Sequence, residues 1–272
     1  YILEGIIDGE QGARLKHVIP IPDISMVQQL CQMLTSMLTE EKGITAPDQI
    51  ESVFIFCTTW SLGGQLTDVS HEDFDKCLKK VAELPIIDNP NATAGPGQIP
   101  AGHGTLYEYY FDVDEKKWVP WSAMVEEYVA PKDGKFSSIV VPTIDTTKNM
   151  ALMDIVVREQ KPVLFIGDSG TAKTCTMENY LLNKMDRSKN SVLNINFSSR
   201  TTSMDVQRII EASVEKRTKD TFGPAGGKRM VVYVDDMNMP KVDLYGTQQP
   251  IALLKLLLAE GGFYDRGKEL NW

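Results

Sequence analysis

The sequence predicts an α/β fold: a parallel sheet with helices on both faces, preceded by a small α-helical subdomain. From about residue 160 onward, apolar strand patterns alternate with helical patterns, as in parallel sheets whose crossovers carry helices. A glycine-rich loop separates the first of these strands from its helix. Before residue 84, apolar residues recur at helical spacing.

Length and composition favour a folded globular protein. The chain has 272 residues, of which 42% are hydrophobic and 24% charged, the balance of packed rather than disordered chains. Its net charge of −9 argues against a nucleic-acid or anionic membrane surface, since either needs a basic excess. No apolar run approaches the roughly 20 residues of a membrane-spanning helix. We therefore expect neither nucleic acid nor a membrane as a partner.

The start of the sequence and its cysteines indicate what kind of polypeptide it comes from and in which compartment it folds. The sequence begins without Met and without a signal-peptide pattern, so we expect it to be part of a longer polypeptide. Its four cysteines form no closely spaced pair, which favours reduced thiols in a cytosolic compartment.

Residues 1–84 are predicted to form the helical subdomain. A helix is expected near 23–41 and ends before Gly43, where a helix stop is typical. A second helix is expected over 47–62. A third opens at Ser70, whose hydroxyl can cap it.

Residues 85–105 are rich in proline and glycine, which predicts a linker at a domain boundary. Residues 106–272 then form the α/β subdomain. Two short strands, 106–113 and 118–121, are expected to flank a turn at Asp114-Glu115.

The alternating region begins with a helix capped by Thr143 that runs to about Arg158. Three strands and two helices are expected after it. The strands are 163–166, 192–197 and 230–234, and the helices are 173–184 and 203–216.

A phosphate-binding loop is predicted between the first strand and its helix. Its sequence is Gly167-Asp168-Ser169-Gly170-Thr171-Ala172-Lys173-Thr174. Glycines let backbone N–H groups converge on an anion, and the following helix directs its N-terminal dipole at the same anion. Lys173 supplies a charge for the β- and γ-phosphates, and the Thr174 hydroxyl can ligate Mg²⁺. The loop therefore predicts binding of ATP or ADP with Mg²⁺, with Cys175 at its edge.

Ala172 departs from the usual pattern, which has glycine before the lysine. Its Cβ is expected to strain the backbone or to push the phosphate away. We therefore expect nucleotide binding of reduced tightness.

The strand pattern of Met230 to Val234 ends in two carboxylates. Asp235 is predicted to hold Mg²⁺ through water, and Asp236 to orient the attacking water. Many ATPases with a phosphate-binding loop of this kind have glutamate at the position of Asp236. Aspartate is one methylene shorter than glutamate. Because a base displaced by about 1 Å can cost on the order of 10²-fold in rate, we expect slow or absent hydrolysis.

Two short matches to guanine-nucleotide motifs are interpreted as coincidental. Asn183-Lys184-Met185-Asp186 lies in the helix straight after the phosphate loop, whereas guanine recognition needs a later strand. Asp243-Leu244-Tyr245-Gly246 follows a strand that already offers Asp235 for the metal.

Longer motifs carry a family resemblance. They are Val231 to Asp243, Tyr245 to Pro250, Gly261 to Arg266, Trp118 to Trp121, Phe136 to Thr143 and Phe197 to Thr202, and further upstream Pro20 to Leu38 and Phe54 to Gly64. The first six resemble the third AAA+ module of a dynein heavy chain, and the last two resemble the helical end of the second module. The sequences of these motifs resemble those of axonemal (ciliary) dyneins more closely than that of the cytoplasmic dynein.

The resemblance implies that residues 106–272 are an AAA+ large subdomain, truncated before its sensor elements, after the lid-like subdomain of the preceding module. It implies that Val141, Pro142 and Thr143 pack on the adenine. It also implies a microtubule motor ATPase of the cytoplasm, cytoskeleton and axoneme of cilia or flagella. The implied partners are neighbouring AAA+ modules of the same heavy chain, and intermediate chains, light chains and microtubules through the full-length protein.

Three functions are compared on this basis. In the first, the site is regulatory and its occupancy biases the conformation of the ring. The second is a self-sufficient P-loop ATPase of chaperone or remodelling type, which turnover by this chain alone would favour. The third is a nucleotide-free structural module, which a melting temperature unchanged by Mg-nucleotide would favour.

Overall fold

The structure is a computed structural model that describes residues 15–83, 86–87, 97–100, 104–128, 140–218, 221–266 and Trp272. The chain divides into two compact units, one up to Thr176 and one from Met177 onward. The predicted α/β fold with a preceding helical subdomain is confirmed. No helix within the described ranges is long and apolar enough to cross a bilayer.

The first unit opens with three helices: α1 is Asp23–Met37, α2 is Pro47–Ser61 and α3 is Asp68–Ala82. The first two confirm the predicted helices, except that α1 ends four residues before the predicted position 41. A separate 3₁₀ turn, Glu40–Lys42, ends at Gly43, which adopts a φ of 59°. This left-handed conformation favours glycine and stops the helical path there.

The predicted start of α3 at Ser70 is wrong, because the helix begins at Asp68 after Thr67. The Ser70 hydroxyl has another partner: it accepts a hydrogen bond from the Lys16 N–H at 3.0 Å. Ser70 therefore ties α3 to a distant segment of the chain, a contact that local sequence cannot show.

The predicted strand pair and turn are present, but the predicted outer ends of the strands are wrong, because Leu106–Glu108 and Trp121–Met124 form 3₁₀ turns. Strand β3 (Tyr109–Asp112) pairs antiparallel with β4 (Lys117–Pro120) around a turn at 113–116. The Asp112 carboxylate accepts hydrogen bonds from the Asp114 and Glu115 N–H groups at 2.9 and 3.1 Å. These two bonds fix the turn.

This hairpin packs against the helices of the first unit. The buried Phe56 ring of α2 lies 5.3 Å from the Tyr110 ring, 6.4 Å from that of Trp118 and 6.5 Å from that of Trp121. Trp118 and Trp121 are also buried. The helices and the hairpin, which the sequence places on opposite sides of a linker, therefore share one hydrophobic core.

The linker itself is described only in part. Within 85–105, Ile86–Ile87 (β1) and Ile99–Pro100 (β2) pair in parallel. Most of the remaining residues lie outside the described ranges. The predicted domain boundary there stays a prediction.

A buried carboxylate of α3, that of Asp75, links this helix to the segment before the hairpin. The Asp75 carboxylate accepts a hydrogen bond from the Leu106 N–H at 2.7 Å and pairs with the Lys79 ammonium at 2.9 Å. The Leu106 N–H and the Lys79 ammonium together compensate the buried negative charge of Asp75.

Helix α4, Ile144–Arg158, follows its N-cap Thr143 and confirms the prediction. The Thr143 hydroxyl accepts a hydrogen bond from the Thr146 N–H, and the Thr146 hydroxyl accepts one from the Thr143 N–H. This reciprocal pair satisfies two backbone donors that the first turn would leave without partners.

The predicted strand at 163–166 is wrong. No strand pairs with residues 161–168 among those that the structure describes, and they form no regular secondary structure. Leu164 and Ile166 are 62% and 54% exposed. An apolar run gains ladder hydrogen bonds only from a neighbouring strand, so strand propensity alone does not make a strand.

The phosphate loop leads into α5, Lys173–Asn179, which continues as a π-helix at Tyr180–Lys184. Together they cover the predicted helix 173–184. Asn183 and Lys184 lie at the π-helical end, within this helix rather than after a strand.

The second unit contains the parallel pair. Strand β5 (Asn190–Asn196) and strand β8 (Arg229–Asp235) pair in parallel, as predicted. Helices α6 (Ser203–Ala212) and α7 (Gln249–Glu260) share a core with this sheet. Its buried members are Ile195, Phe197, Val206, Ile210 and Leu253.

Helix α6 ends four residues before the predicted position 216. Glu215–Lys216 (β6) instead pairs antiparallel with Phe222–Gly223 (β7). The backbone of 215–216 is extended by this pairing, so it cannot continue the helix.

Candidate nucleotide site

The predicted phosphate loop, Gly167 to Thr174, is mostly exposed and leads directly into α5. Gly170 adopts a φ of 82°, a left-handed conformation that favours glycine. A methyl group built on it would have nothing within 4 Å. At Gly170, therefore, no neighbouring atom blocks a ligand from the backbone.

The Lys173 ammonium lies within the loop. It donates hydrogen bonds to the Gly167 carbonyl oxygen at 2.7 Å, to the Asp168 carbonyl oxygen, and to the Thr171 hydroxyl at 3.2 Å. Thr171 in turn donates to the Asp168 carbonyl oxygen at 2.8 Å. The loop thus holds the Lys173 ammonium against its own carbonyl oxygens, and the role of Lys173 toward phosphate stays a prediction.

The loop also offers backbone donors. Within the part of the chain that the structure describes, the N–H groups of Ser169 and Gly170 donate to no protein acceptor. N–H groups beside an ammonium are the donors that phosphate oxygens require. The residues present therefore fit a polyphosphate.

Ala172 adopts a φ of 59°, which is the left-handed region. For a residue with a Cβ, this conformation costs about 1–2 kcal/mol. The backbone strain expected from the sequence is therefore present in this residue.

Replacing Ala172 with glycine is expected to stabilise the loop by about 1 kcal/mol, because glycine adopts this φ without the Cβ penalty. Hydrogen exchange of the Thr176 amide, which donates to the Ala172 carbonyl oxygen at 2.9 Å, measures the change in the complete polypeptide. A matched control is Ala151→Gly in the right-handed helix α4, which is expected to destabilise by about 1 kcal/mol. Faster exchange of the Thr176 amide in Ala172→Gly would show that the left-handed backbone of Ala172 is not strained.

Thr174 and Cys175 lie in the first turn of α5 and are both exposed. The next residue, Thr176, is buried, and its hydroxyl donates to the Ala172 carbonyl oxygen at 2.8 Å. This bond anchors the start of the helix to the loop. The roles of Thr174 toward Mg²⁺ and of Cys175 at the nucleotide stay predictions.

The segment predicted to pack on the adenine lies just before α4. Val141 is 53% exposed, and Thr143 is held as the N-cap of the helix. Pro142 stands between them. The exposed Val141 side chain suits an apolar contact with a flat ring, and the contact itself stays a prediction.

The two predicted carboxylates end strand β8. Asp235 is paired across the parallel ladder with Asn196 of β5. Asp236 follows with a φ of 54°, and its N–H donates to the Asp235 carboxylate at 3.0 Å. Aspartate tolerates this left-handed conformation better than most residues with a Cβ.

Asn196 is a polar residue to which the sequence pattern assigned no role. The structure places it at the same sheet edge as Asp235, one strand away. The sequence signal for Asn196 as a site residue is its position at the end of the predicted strand 192–197, because the carboxyl ends of neighbouring parallel strands lie at the same edge of a sheet.

The predicted site residues divide between the two units. The loop and the segment 141–143 belong to the first, and Asp235 and Asp236 belong to the second. Convergence of Lys173 with Asp235 stays a prediction. The predicted magnesium ligands Thr174 and Asp235 divide in the same way, and within the described ranges no group of three or more His, Cys, Asp or Glu residues could hold a metal.

Comparison with known families shows which family the chain belongs to. A family model described as the P-loop containing dynein motor region matches residues 128–272, more than half of the chain. The chain belongs to the dynein motor region family. A second model, described as the dynein heavy chain AAA lid domain, matches residues 10–123.

Relatives of this dynein chain carry axonemal, flagellar and ciliary names. It is 50% identical over 270 residues to dynein axonemal heavy chain 10 of Homo sapiens. It is 47% identical over 276 residues to the dynein-1-alpha heavy chain of the flagellar inner arm I1 complex of Chlamydomonas reinhardtii. It is 34% identical over 259 residues to the ciliary dynein beta chain of Heliocidaris crassispina.

These matches cover 99%, 100% and 94% of this chain but only 6% of each relative. The resemblance to an axonemal-type dynein heavy chain is confirmed. The assignment to the second and third modules stays a prediction. The two family models meet between residues 123 and 128, so the lid model includes the β3–β4 hairpin, which agrees with its packing on α2.

Proposed function

We propose that this chain is a regulatory nucleotide-binding module of an axonemal dynein heavy chain, whose loop binds ATP or ADP with Mg²⁺. One observation carries the proposal. The loop from Gly167 to Thr174 holds the Lys173 ammonium beside N–H groups that donate to no protein acceptor among the described residues. Membership of a P-loop motor family supports it.

Three side chains and the loop backbone bind the phosphates and the metal. Lys173 and the N–H groups of the loop bind the β- and γ-phosphates. The Thr174 hydroxyl and, through water, the Asp235 carboxylate hold the Mg²⁺. When bound, the metal neutralises phosphate charge.

The segment before α4 binds the adenine ring. Val141 and Pro142 pack on the ring, and Thr143 sets their position because its capping bonds fix it to the first turn of the helix. Cys175 lies at the edge of the nucleotide.

Hydrolysis is proposed to be slow. Asp236 orients the attacking water, and its carboxylate is one methylene shorter than a glutamate. Its left-handed backbone further limits the directions in which this short side chain can point. A base held about 1 Å from its best position loses on the order of 10²-fold in rate.

A slowly hydrolysing site suits regulation. A nucleotide that contacts two rigid parts of a ring shifts their equilibrium by its differential affinity for the two arrangements. Occupancy would then gate the motor rather than supply the main power step.

The names of the relatives support a place in the axoneme of cilia or flagella, within the cytoskeleton. The proposed partners are neighbouring AAA+ modules of the same heavy chain. Intermediate chains, light chains and microtubules would be engaged through the rest of the full-length protein.

Photolabelling with an azido-ADP in the complete heavy chain, followed by peptide mapping, tests the proposal. Label is expected on peptides that contain 141–143 or 167–176, and excess ATP or ADP should suppress it where GTP does not. Label confined to other parts of the heavy chain would overturn the proposal.

A nucleotide-free structural module is the second candidate. The left-handed Ala172 and the contacts between Lys173 and two carbonyl oxygens favour it, because they close the loop on its own lysine. Hydrogen exchange of the amides of 167–172 separates the two functions. Mg-ADP should slow this exchange if the loop binds nucleotide and should leave it unchanged if the module is structural.

Asp236→Glu is expected to leave nucleotide binding unchanged and to keep or raise hydrolysis at this site, by up to about 10²-fold, because the longer side chain reaches the attacking water. The measurement is single-turnover ATP hydrolysis in a heavy chain whose other P-loop lysines are replaced by alanine. Asp236→Asn is the matched control and should abolish the residual rate while leaving binding intact. A fall in rate for Asp236→Glu would show that the site is adapted to aspartate.

A further inference from the structure

A polar cleft lies at the amino-terminal ends of β5 and β8, at the opposite edge of this sheet from Asn196 and Asp235. Its volume is about 520 Å³. It is lined by residues 188–190 on one side and 226–229 on the other, all within the second unit. No role in nucleotide binding has been proposed for these residues.

The cleft is basic in a chain whose net charge is −9. Three of its lining residues are cationic: Lys189, Lys228 and Arg229. None of its lining residues is acidic. The adjacent Asp186 carboxylate accepts hydrogen bonds from the Ser188 N–H and hydroxyl and lies 3.9 Å from the Lys189 ammonium, so it offsets only part of this charge.

On the second side of the cleft, two consecutive glycines leave the backbone uncovered by side chains. Gly226 and Gly227 both adopt left-handed φ angles, 71° and 70°, and are exposed. A methyl group built on either would have nothing within 4 Å. A ligand can therefore reach the main chain here without meeting a side chain.

Hydrogen bonds hold the two walls in place. The Arg217 guanidinium donates to the carbonyl oxygens of Pro224 and Lys228, both at 3.0 Å. The Lys228 ammonium donates to the Arg187 carbonyl oxygen at 2.9 Å, and the Arg229 N–H donates to the Lys189 carbonyl oxygen at 2.9 Å. The last two bonds join one wall to the other, so the cleft is organised before any ligand arrives.

We propose that this cleft binds a phosphate-type dianion, either free in solution or carried by a phosphorylated side chain. The three cationic side chains and the adjacent Asp186 carboxylate leave a net charge of +2, which matches a dianion, and ammonium and guanidinium groups form charge-assisted hydrogen bonds with phosphate oxygens. An open glycine backbone beside such cations is typical of phosphate sites rather than of surfaces that contact neutral ligands.

Hydrogen exchange in the complete heavy chain, with Mg-ADP kept constant, tests this site. The probes are sodium phosphate and a peptide of one phosphoserine flanked by glycines, each compared with sodium chloride at equal ionic strength. Exchange of the amides of 224–230 should slow about tenfold when the probe reaches ten times its dissociation constant. Slowing by the peptide at lower concentration than by free phosphate assigns a protein-borne phosphate, and slowing by free phosphate alone assigns a free anion.

The double variant Lys189→Gln/Arg229→Gln should lose this protection. The control Arg208→Gln/Lys216→Gln removes the same number of charges from exposed positions of the same unit and should retain it. Equal protection in chloride and phosphate, or protection unchanged in the Lys189→Gln/Arg229→Gln variant, would overturn the proposal.

Discussion

Replacing Lys173 with alanine is expected to weaken nucleotide binding at this loop by about 10- to 100-fold. The ammonium is held within the loop by two carbonyl oxygens and the Thr171 hydroxyl. Hydrogen bonds to charged groups contribute about 1.5–3 kcal/mol each, and 1.4 kcal/mol is a tenfold change in affinity. Titration of the azido-ADP label on the peptides of 141–143 and 167–176 in the complete heavy chain measures the loss.

The fold should tolerate this change. The contacts of the Lys173 ammonium are to groups of an exposed loop, and water can replace it there. Lys161→Ala is the matched control, since it removes an exposed lysine from the segment that leads into the loop. Equal labelling of the Lys173 and Lys161 variants would remove the assigned role of Lys173 and with it the proposed phosphate site.

Phe56→Ala is expected to destabilise the first unit by about 3–5 kcal/mol, the cost of truncating a buried phenylalanine. Its ring is fully buried and contacts three aromatic rings of the hairpin region. Hydrogen exchange of the amides of α2 and β3–β4 measures the change locally, and a loss of this size speeds exchange roughly 100-fold or more.

Phe54→Ala is the matched control in the same helix. Phe54 is 42% exposed, so its truncation should cost less than about 1 kcal/mol. Phe56→Leu retains most of the buried volume and provides a folded variant for comparison should Phe56→Ala fail to accumulate. Similar exchange rates in Phe54→Ala and Phe56→Ala would show that the hairpin does not depend on this core.

Two residues of the candidate site, Ala172 and Asp236, adopt left-handed backbone conformations despite having a Cβ. Such conformations cost of order 1–3 kcal/mol and tend to occur where function requires them. The sequence indicated the strain at Ala172, because glycine is usual before the lysine. It carried no comparable signal at Asp236, whose backbone depends on how the chain leaves β8.

Local patterns were reliable where the stabilising bonds are local. Thr143 caps α4 through Thr146, three residues away, and the turn after Asp112 is fixed by the N–H groups two and three residues later. Both features were therefore predictable from short stretches of sequence. The family resemblance was predictable for a related reason, since its motifs are contiguous runs.

The run 163–166 shows the opposite case. Its apolar residues have strand propensity, yet no strand pairs with them among the described residues. Ser70 is similar, because its hydroxyl does not cap α3 and accepts a hydrogen bond from the Lys16 N–H, 54 positions away. In each case a partner distant in sequence determines the outcome.

By itself, the sequence determined the presence of the helices, the cap of α4, the hairpin turn and the membership of the dynein family, because each depends on residues that are neighbours along the chain. Only the tertiary structure decided that the hairpin shares a core with α2, that the Lys173 ammonium lies among the loop carbonyls, and that three cationic residues and two open glycines line one cleft at the ends of β5 and β8. These arrangements depend on side-chain packing and on backbone angles that fold-wide contacts select, and no short pattern encodes them.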